Sequence, residues 1–486
     1  MPARVERRWD LREFIDQLEA EGELRRVKAE VDWHHEAGAM SRLACERRGP
    51  APLFENIKGY PGHKLASVLL GPGRPLHARS AIALGVDKAA SPLELIEIVR
   101  ERLRKPIKPV TVTRAQAPCK EMILKGAEAN LMKFPAPWIK GIDGGRYVGT
   151  WDIVVTRDPD SEWTNWATYR CMLKDEHHFA MLLFPEGQHG GAILRKYEAA
   201  NRPMPIALVI GAEPLCHMAA IATVNYGVSE AELAGGLMGQ GVPLVKCETS
   251  DLMVPATAEI VIEAEVLPNQ RTDEGPFGEF TGHSAHRGRS PIARVTAITH
   301  RRDPIFTMAN MGKPYDDYAT PGYIVISACA KNWLEDHGIA VKSVYYYVPD
   351  IAVIAVKPAP GLIKKITSVL MSGSRLIYGS GIVFVEEDVD VTNVEDLWWS
   401  ICSRMHPDRY QVIRDVSLVP LLPWWGPQER ALRQSPMWVM DSTFPFEWTS
   451  EYREEHTRIS DFIHAWTEET KAQVLRRWKE YGYEDI

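Results

Sequence analysis

Two glutamates lie five residues apart in the segment Glu274-Gly-Pro-Phe-Gly-Glu279. Two glycines and a proline separate them, and these residue types exclude a regular helix or a central strand. The pattern therefore predicts an irregular loop whose backbone can lie close to a ligand. The apolar Phe277 and Phe280 would desolvate a neighbouring carboxyl group and favour its protonated form, which a general acid needs. Two solvated turn carboxylates are the alternative interpretation.

Arg170 lies in the run Trp166-Ala-Thr-Tyr-Arg-Cys-Met-Leu173. The run predicts a strand with Thr168, Arg170 and Met172 on one face. An arginine among so many apolar neighbours is either on the exposed face of its strand or paired with a carboxylate. If it is paired, the two loop glutamates are the candidates, because such a pair orients the acid and also holds an anionic substrate.

Three further polar side chains suggest a metal site: Asn165, His189 and Glu230. Oxygen and nitrogen ligands without a thiolate favour Mn²⁺ or Mg²⁺ over structural zinc. Ser229 and Glu232 resemble a capping box, which predicts that Glu230 lies in the first turn of a helix, near unpaired backbone N–H groups. Taken one at a time, each of these residues is more often an ordinary polar residue of the surface or the core.

Several motifs occur in order along the chain: Trp163-Thr-Asn-Trp-Ala-Thr-Tyr-Arg170, Gln188-His189, Gly227-Val-Ser-Glu230, Val245-Lys-Cys-Glu-Thr-Ser-Asp-Leu-Met-Val-Pro-Ala256, Glu274-Gly-Pro-Phe-Gly-Glu279 and the closing Trp478-Lys-Glu-Tyr-Gly-Tyr483. Together they resemble the UbiD family of prenylated-flavin decarboxylases, in its aromatic and heteroaromatic acid branch. The resemblance spans nearly the whole chain. Because the motifs co-occur, the alternatives for the single residues no longer apply.

The resemblance implies a catalytic network of Arg170, Glu274 and Glu279. It also implies a cofactor, FMN extended by a prenyl-derived fourth ring, which a flavin prenyltransferase supplies and which is bound through Mn²⁺ (or Mg²⁺) and a nearby K⁺. The metal ligands that it implies are Asn165, His189 and Glu230, with Trp166, Ala219, Ala220 and Ala222 around the K⁺. The cofactor contacts that it implies are Asn165, Thr168, Arg170, Gln188, His189, Glu230 and Arg375, the last standing where the family often has a lysine.

The expected reaction is the reversible, non-oxidative decarboxylation of an aromatic or heteroaromatic acid, with CO₂ as the second product. Arg170 would orient the acid, Glu274 would hold Arg170, and Glu279 would give the proton that replaces the lost carboxyl group. We expect Phe280, Thr281 and residues 311–315 to contact the substrate. Cinnamate-like acrylic acids are the near alternative. An ordinary FMN or metal enzyme and a non-catalytic paralogue on the same fold are the others.

The composition excludes several other classes of protein. The chain has 486 residues, 45% of them hydrophobic and 25% charged, which is typical of a globular protein with several domains. With a net charge of −7 and no Lys/Arg-rich block, nucleic acid is not an expected partner. No long apolar run is present, so we expect no membrane contact and a cytoplasmic protein. Seven scattered cysteines indicate reduced, mostly buried thiols.

Three regions of different pattern must position the candidate residues, and together they predict an α/β (α+β overall) fold. Residues 1–118 carry capped amphipathic helices that begin after Asp10 and Ser91, and predict an N-terminal α/β lobe. Residues 119–315 carry many short strands, such as those near 259–267 and 292–299, and predict a β-barrel or a strongly curved sheet with long loops. The resemblance implies that this region is a split β-barrel domain that binds the prenylated FMN.

Residues 316–486 alternate strands and helices, which predicts a doubly wound α/β domain that ends in a long helix over about residues 468–481. Val474, Trp478 and Tyr481 would lie on one face of that helix. The stripe packs either on its own chain or on a partner subunit. In the second case a homodimer or a dimer-based hexamer is expected.

Overall fold

The fold is taken from a computed structural model that describes residues 10–184, 187–347, 351–373, 376, 379–418 and 420–484. In these residues the chain has a mixed α/β architecture, as the sequence predicts. The strands described form five sheets, of which a central sheet of nine strands is the largest. The functional residues discussed below are held by this central sheet and the segments next to it.

The first part of the chain combines amphipathic helices with a small sheet. Its elements are α1 (Leu11–Ala20), β1 (Leu24–Val27), α2 (Glu36–Glu46), β2 (Ala51–Phe54), β3 (Lys64–Ser67), α3 (Ala78–Leu84) and α4 (Pro92–Leu103). The Asp10 carboxylate caps α1 by accepting a hydrogen bond from the backbone N–H of Arg12 (2.6 Å). Ser91 and Glu94 form a reciprocal capping box at α4. Both helices begin where the sequence predicts.

The central part of the chain is built mainly from strands. Its elements are β4 (Val110–Thr111), β5 (Met122–Lys125), β6 (Tyr147–Gly149), β7 (Asp152–Arg157), β8 (Thr164–Ala167), β9 (Cys171–Leu173), β10 (His178–Met181), α5 (His189–Ala199), β11 (Met204–Ile210), α6 (Pro214–Ala220), α7 (Glu230–Met238), β12 (Pro243–Lys246), β13 (Met253–Pro255), β14 (Ile260–Glu274), β15 (Phe277–Gly278), β16 (Ser284–Ala285), β17 (Gly288–His300) and β18 (Ile305–Met308). Short 3₁₀ turns at 114–116, 118–120, 126–128 and 131–133 join some of them.

The nine-stranded sheet curls into a half-barrel with the strand order β6-β9-β10-β17-β14-β11-β7-β8, and β5 pairs with β17. Its two long strands, β14 and β17, exceed the predicted spans. They remain paired from Ile260 to Glu274 because an irregularity between Val266 and Arg271 absorbs the Pro-Asn interruption in the pattern. Glu274 is consequently the last residue of a strand, and the loop begins after it.

The predicted strand over Trp166–Leu173 is wrong in its middle. The run splits into β8, which pairs with β7 at one end of the sheet, and β9, which pairs with β6 and β10 near the other end. Thr168 to Arg170 cross the opening between the two ends. The alternating residues predicted a single strand, because local periodicity does not show with which other strands a segment pairs.

The last part of the chain alternates strands and helices, as predicted. Its elements are α8 (Ala319–Asp336), β19 (Ser343–Tyr347), β20 (Ile351–Val356), α9 (Leu362–Ser372), β21 (Gly381–Glu386), α10 (Val394–Arg404), β22 (Tyr410–Ser417), α11 (Pro427–Leu432), β23 (Gln434–Ser442), α12 (Ser450–His456) and α13 (Glu468–Arg476), with a 3₁₀ turn at 407–409. The sheet order is β19-β20-β21-β23-β22. The sheet is mixed, since β20, β21 and β23 run parallel while β19 and β22 are antiparallel to their neighbours.

The terminal helix is shorter than the sequence predicts. It covers nine residues, Glu468–Arg476, and the chain then turns. The Trp478 indole stacks on Tyr483 with ring centroids 4.4 Å apart, and its Nε1–H donates to the Glu484 carbonyl (3.2 Å). The aromatic residues that suggested one long helix face therefore close a local turn. Gly482 makes that turn possible because its φ of 89° lies in the left-handed region.

The seven cysteines are all free, and six of them are buried, as predicted; Cys402 is exposed. In the part of the chain that is described, no helix combines the length and the apolar character needed to cross a bilayer.

Candidate active site

Arg170 and the two loop glutamates form one buried ion-pair network. The Arg170 guanidinium donates to Glu274 through Nε (2.8 Å to Oε1) and Nη2 (2.6 Å to Oε2). Its third nitrogen, Nη1, donates to Glu279 Oε1. An exposed Arg170 and two solvated glutamates, the alternative interpretations, are therefore wrong. The buried guanidinium is tolerated here because the carboxyl groups of both glutamates pair with it.

The charge state of this network follows from its contacts. Burial opposes the charged guanidinium, but the carboxylates of Glu279 and Glu274 outweigh it and raise the pKa of Arg170 above its ordinary value. The arginine thus stays a cation. The hydroxyl of Tyr147 donates to Glu274 Oε1 (3.0 Å), and desolvation together with Glu274 raises the pKa of that tyrosine. Tyr147 therefore remains a neutral donor.

A second segment, residues 140–144, forms hydrogen bonds with the loop that carries Glu279. The Asp143 carboxylate accepts from the backbone N–H groups of Gly278 (2.9 Å) and Lys140 (3.0 Å). Lys140 Nζ donates to the Gly278 carbonyl (3.2 Å), and the Gly144 N–H donates to the Pro276 carbonyl (2.7 Å). Burial lowers the pKa of Lys140 and raises that of Asp143.

We call residues 140–144 the clamp segment. Sequence reasoning missed it and also missed Tyr147. The run Lys140-Gly-Ile-Asp-Gly-Gly145 offered a signal, because glycines beside an aspartate permit close approach of two backbones. A Cβ at Gly144 would lie 2.2 Å from the carbonyl oxygen of Gly275. What the sequence lacked was any indication of which loop approaches it.

Two cavities meet at Arg170. The first, the main cleft, is lined by residues 165–170, by α6 and α7, and by Glu279, Phe280 and Tyr318, and it encloses about 1030 Å³ of empty space including its mouth. The second cavity is lined by Arg170 and Glu274 together with basic side chains such as Arg271 and Arg289. Among the described residues, Glu279 lines only the main cleft and Glu274 only the second cavity. The two carboxylates that share one arginine therefore face different spaces.

The three predicted metal ligands lie together in the main cleft. Glu230 follows Ser229, which caps α7 as predicted by accepting from the N–H of Glu232 (3.3 Å). Glu230 Oε2 accepts from the backbone N–H of Trp166 (3.0 Å), and its Oε1 lies 3.9 Å from His189 Nδ1. Asn165 is buried on β8, where its Nδ2 donates to the Thr156 hydroxyl (3.3 Å).

The electrostatics of this group suit a cation. Burial raises the pKa of Glu230 to about 8, because a carboxylate at that depth lacks solvation. A bound cation would supply the missing stabilisation. In the described residues no three His, Cys, Asp or Glu side chains converge as a metal-type cluster, so the third donor of this set would be the Asn165 amide. Amide oxygen, imidazole nitrogen and carboxylate oxygen together fit Mn²⁺ or Mg²⁺.

The remaining predicted contacts fall into three groups. Thr168, Gln188, Trp166, Ala220 and Ala222 line the main cleft. Ala219 is fully buried on α6, directly before Ala220. Arg375 lies outside the described residues. The structure thus brings the predicted site together from β8, the crossing after it, α5, α6, α7 and the glutamate loop, although these segments are far apart in sequence.

Three consecutive stretches of the chain match the domain models of one family. Residues 15–99 match the 3-octaprenyl-4-hydroxybenzoate carboxy-lyase N-terminal domain, residues 110–314 its Rift-related domain and residues 333–433 its C-terminal domain. The chain belongs to the UbiD family, and it is a carboxy-lyase of that family. Both conclusions confirm what the sequence motifs imply.

Individual relatives resemble the chain over nearly its whole length. The pyrrole-2-carboxylic acid decarboxylase of Pseudomonas aeruginosa is 31% identical over 98% of this chain and 99% of its own, and ferulic acid decarboxylase 1 of Saccharomyces cerevisiae is 29% identical over 98% of each. The closed form of Sedimentibacter hydroxybenzoicus vanillic acid decarboxylase superimposes with a TM-score of 0.88 at 30% identity over 99% of this chain and 100% of its own.

An evolved dimeric form of the UbiD-class enzyme HmfF from Pelotomaculum thermopropionicum, in complex with prFMN, superimposes with a TM-score of 0.76 at 30% identity, over 93% of this chain and 97% of its own.

Proposed function

We propose that the protein decarboxylates an aromatic or heteroaromatic carboxylic acid reversibly, with prenylated FMN as cofactor and Glu279 as proton donor. The observation that carries the proposal is the separation of the two glutamates by Arg170. Glu279 faces the main cleft, where a substrate fits, while Glu274 faces away from it. A proton donor must reach the reacting carbon, whereas a group that only holds an arginine does not.

The main cleft also suits the cofactor. Asn165, His189 and Glu230 would hold Mn²⁺ or Mg²⁺, and the backbone of Trp166, Ala219, Ala220 and Ala222 would hold K⁺. Thr168 and Gln188 would contact the flavin and its phosphate, together with Arg375. The carbanion that decarboxylation leaves has no electron sink of its own, and the modified flavin supplies one when it is bound.

The residues of this chain then divide the remaining work. Arg170 binds the substrate carboxylate and orients it, since a guanidinium matches a carboxylate with two parallel hydrogen bonds. Glu274 and Tyr147 fix the guanidinium plane from the opposite side. The bond between the ring carbon and the carboxyl carbon breaks, CO₂ leaves, and the proton of Glu279 is transferred to the ring carbon. At high CO₂ the same steps run in reverse.

The walls of the cleft favour a flat ring over a long chain. Phe280 packs against Tyr318 with ring centroids 5.0 Å apart, and both line the cleft together with Met311. Apolar and aromatic walls of this kind fit an aromatic acid. A relative that acts on pyrrole-2-carboxylic acid supports this choice, and a relative named for ferulic acid supports cinnamate-like acids as the second candidate.

The proposal also covers the source of the cofactor and the oligomeric state of the protein. A flavin prenyltransferase would provide the cofactor, and the protein would work as a homodimer or a dimer-based hexamer. A dimeric form is named for one structural neighbour. Seven free cysteines are compatible with a reducing compartment, and we place the protein in the cytoplasm.

The first experiment identifies the cofactor. The protein is co-expressed with a flavin prenyltransferase and Mn²⁺, purified and denatured, and the released compound is analysed by mass and visible spectrum. We expect a mass above that of FMN by one five-carbon unit. The Glu230→Gln variant, prepared in parallel, should release much less of it. Plain FMN would favour an ordinary FMN enzyme, and no flavin at all would favour a non-catalytic paralogue.

The second experiment tests the proton donor. Holoenzyme carrying Glu279→Gln should retain its cofactor and bind the acid, but form no product, because glutamine has no proton to give. Glu265→Gln, at a partly exposed residue of β14, serves as the control and should keep the wild-type rate. Wild-type turnover by the Glu279→Gln holoenzyme would remove Glu279 from this role. Rates on aromatic and acrylic acids then decide between the two substrate classes.

A further inference from the structure

The main cleft adjoins a small pocket that the proposed chemistry does not use. We call it the side lobe. Thr168, Ile221, Met311 and Tyr318 line both spaces, so the two are direct neighbours. The side lobe encloses about 340 Å³ of empty space including its mouth, against about 1030 Å³ in the main cleft. The part open to the centre of a water-sized group is about 20 Å³, which is enough for one hydroxyl-sized group.

His217 on α6 lines this lobe and is almost fully buried. Its ring stacks on Trp151 with centroids 3.7 Å apart. Neither of its ring nitrogens has a hydrogen-bond partner among the residues that the structure describes. An imidazole offers one N–H donor and one acceptor nitrogen in either neutral tautomer. Leaving both unused in a buried site costs free energy that a polar ligand group would recover.

Two other polar side chains of the lobe already have hydrogen-bond partners. The Asp317 carboxylate accepts from the backbone N–H groups of Val68 (3.1 Å) and Leu70 (3.3 Å). The Thr150 hydroxyl accepts from the N–H of Ala309 (3.1 Å). The remaining walls include apolar side chains such as Ile221 and Met311. His217 differs from these two groups, because both of its ring nitrogens lack a partner among the described residues.

We infer that His217 is a specificity residue, which hydrogen-bonds a hydroxyl or ring N–H on the side of the aromatic acid remote from its carboxylate. The inference rests on the proposed decarboxylation and narrows its substrate to aromatic acids with one small polar group at that position. The walls of the lobe exclude bulky substituents, while the imidazole selects polar over apolar groups of equal size. Recognition of this kind discriminates strongly because the unsuitable ligand leaves the buried nitrogens unpaired.

The test compares acids that differ in that group alone. Holoenzyme is assayed on para-hydroxybenzoate against para-methylbenzoate, and on pyrrole-3-carboxylate against thiophene-3-carboxylate, in which the heteroatom is not adjacent to the carbon that carries the carboxylate. We expect the polar member of at least one pair to have a kcat/KM higher by about tenfold, the effect of one well-placed neutral hydrogen bond in a buried site. His217→Leu should bring that ratio close to one, mainly through KM, and His217→Gln should restore part of it.

Two controls separate this role from a structural one. His77→Leu replaces another buried histidine, whose Nε2 lies 3.3 Å from the Tyr345 hydroxyl outside the lobe, and it should leave the ratio unchanged. Titration calorimetry on Glu279→Gln holoenzyme, with and without His217→Leu, measures acid binding without turnover. The same preference should appear there as a difference in Kd.

The outcomes keep the two proposals apart. If no acid of the panel is decarboxylated but the calorimetric preference depends on His217, the proposed reaction fails and the specificity role stands. If acids are decarboxylated while wild-type enzyme shows no preference within either pair, the specificity role is overturned whether or not the His217 variants fold. A preference that survives His217→Leu overturns it as well.

Discussion

Glu274 and Glu279 are the same residue type, bind the same arginine and are both buried, yet the fold gives them different surroundings. Glu274 accepts hydrogen bonds from two guanidinium nitrogens and from the Tyr147 hydroxyl, so both of its carboxylate oxygens have partners. Glu279 engages one nitrogen and faces the main cleft. The sequence could name both glutamates as candidate ion-pair partners of Arg170. The assignment of roles required knowing on which side of the arginine each carboxylate lies.

The first prediction concerns Tyr147. Replacing it by phenylalanine removes one hydrogen bond to Glu274 and leaves the ring in place, so the guanidinium plane is held less firmly. We expect kcat to fall by about fivefold, which corresponds to about 1 kcal/mol for one hydrogen bond. Cofactor content should be unchanged. Tyr345→Phe, in another buried tyrosine, is the control, and an unaltered kcat in Tyr147→Phe would contradict the role.

Residue types and motif order were sufficient to predict the family and the residues that meet in the main cleft. They were insufficient for Lys140, Asp143 and Tyr147, because these support the site through backbone groups and through Glu274. A supporting contact of this kind leaves no characteristic spacing in the sequence. The sequence also gave no indication of His217, because only the folded structure shows that its ring nitrogens are unpaired and line the side lobe.

At the scale of elements, the site depends on how the central sheet curls. Thr168 to Arg170 cross the opening between the two ends of the half-barrel, so Arg170 is not on a regular strand face. The sequence predicted the strands and their approximate positions well. It predicted one strand where there are two, and ended β14 too early, because both features depend on pairing with distant partners.

The second prediction tests the clamp segment. Gly144→Ala would place a Cβ 2.2 Å from the Gly275 carbonyl oxygen, so the clamp or the glutamate loop must move. We expect a loss of about 1–3 kcal/mol in unfolding free energy, typical of overpacking, and a fall in kcat of at least about tenfold, since small misplacements of catalytic groups are costly.

The matched control lies in the same segment. At Gly141 the atom nearest to an added methyl group would be 4.0 Å away, on His35. Gly141→Ala should therefore leave both the unfolding free energy and kcat nearly unchanged. Equal effects of the two substitutions would show that the segment is merely sensitive to alanine, and that the contact between Gly144 and Gly275 has no special part.

At the scale of the whole molecule, stability should depend on a buried acid. Asp152 is fully buried, and neither of its carboxylate oxygens makes a well-formed hydrogen bond to the described residues. Burial raises its pKa well above the ordinary 3.8, so the folded chain holds a proton that the unfolded chain releases. The stabilising effect of that proton is complete below the unfolded pKa and is lost as pH rises toward the folded pKa.

The third prediction follows from this difference. Asp152→Asn removes the titration, so its unfolding free energy relative to wild type should rise as the pH increases above about 4, the ordinary aspartate pKa. Denaturant titrations at several pH values measure this trend. Asp16→Asn, at an aspartate whose side chain is 72% exposed, should show a much weaker dependence. A constant difference between Asp152→Asn and wild type would mean that Asp152 is already ionised in the folded chain.

The fourth prediction concerns assembly. Phe462, Ile463 and Trp466, near the end of the chain, are 42%, 66% and 52% exposed, which is unusual for neighbouring large apolar residues. If they form a subunit contact, Trp466→Glu should shift the protein to a smaller species in analytical ultracentrifugation. Leu43→Glu, at an exposed apolar residue of α2, should not. Identical sedimentation of Trp466→Glu and wild type would remove this surface from the interface.

The ion pair between Arg170 and Glu274 also fixes an order of events during synthesis. The two residues are 104 positions apart, so a ribosome adding about 5–20 residues per second needs about 5–20 s to reach the second after the first. Until then Arg170 lacks the carboxylate that allows it to be buried, and it must stay in water. The sheet that joins β8 to β9 passes through β14 and β17, so it is complete only after both of these strands have emerged. In a nascent chain that stops before residue 274, the central sheet and the candidate active site are therefore incomplete. We expect such a chain to have no decarboxylase activity.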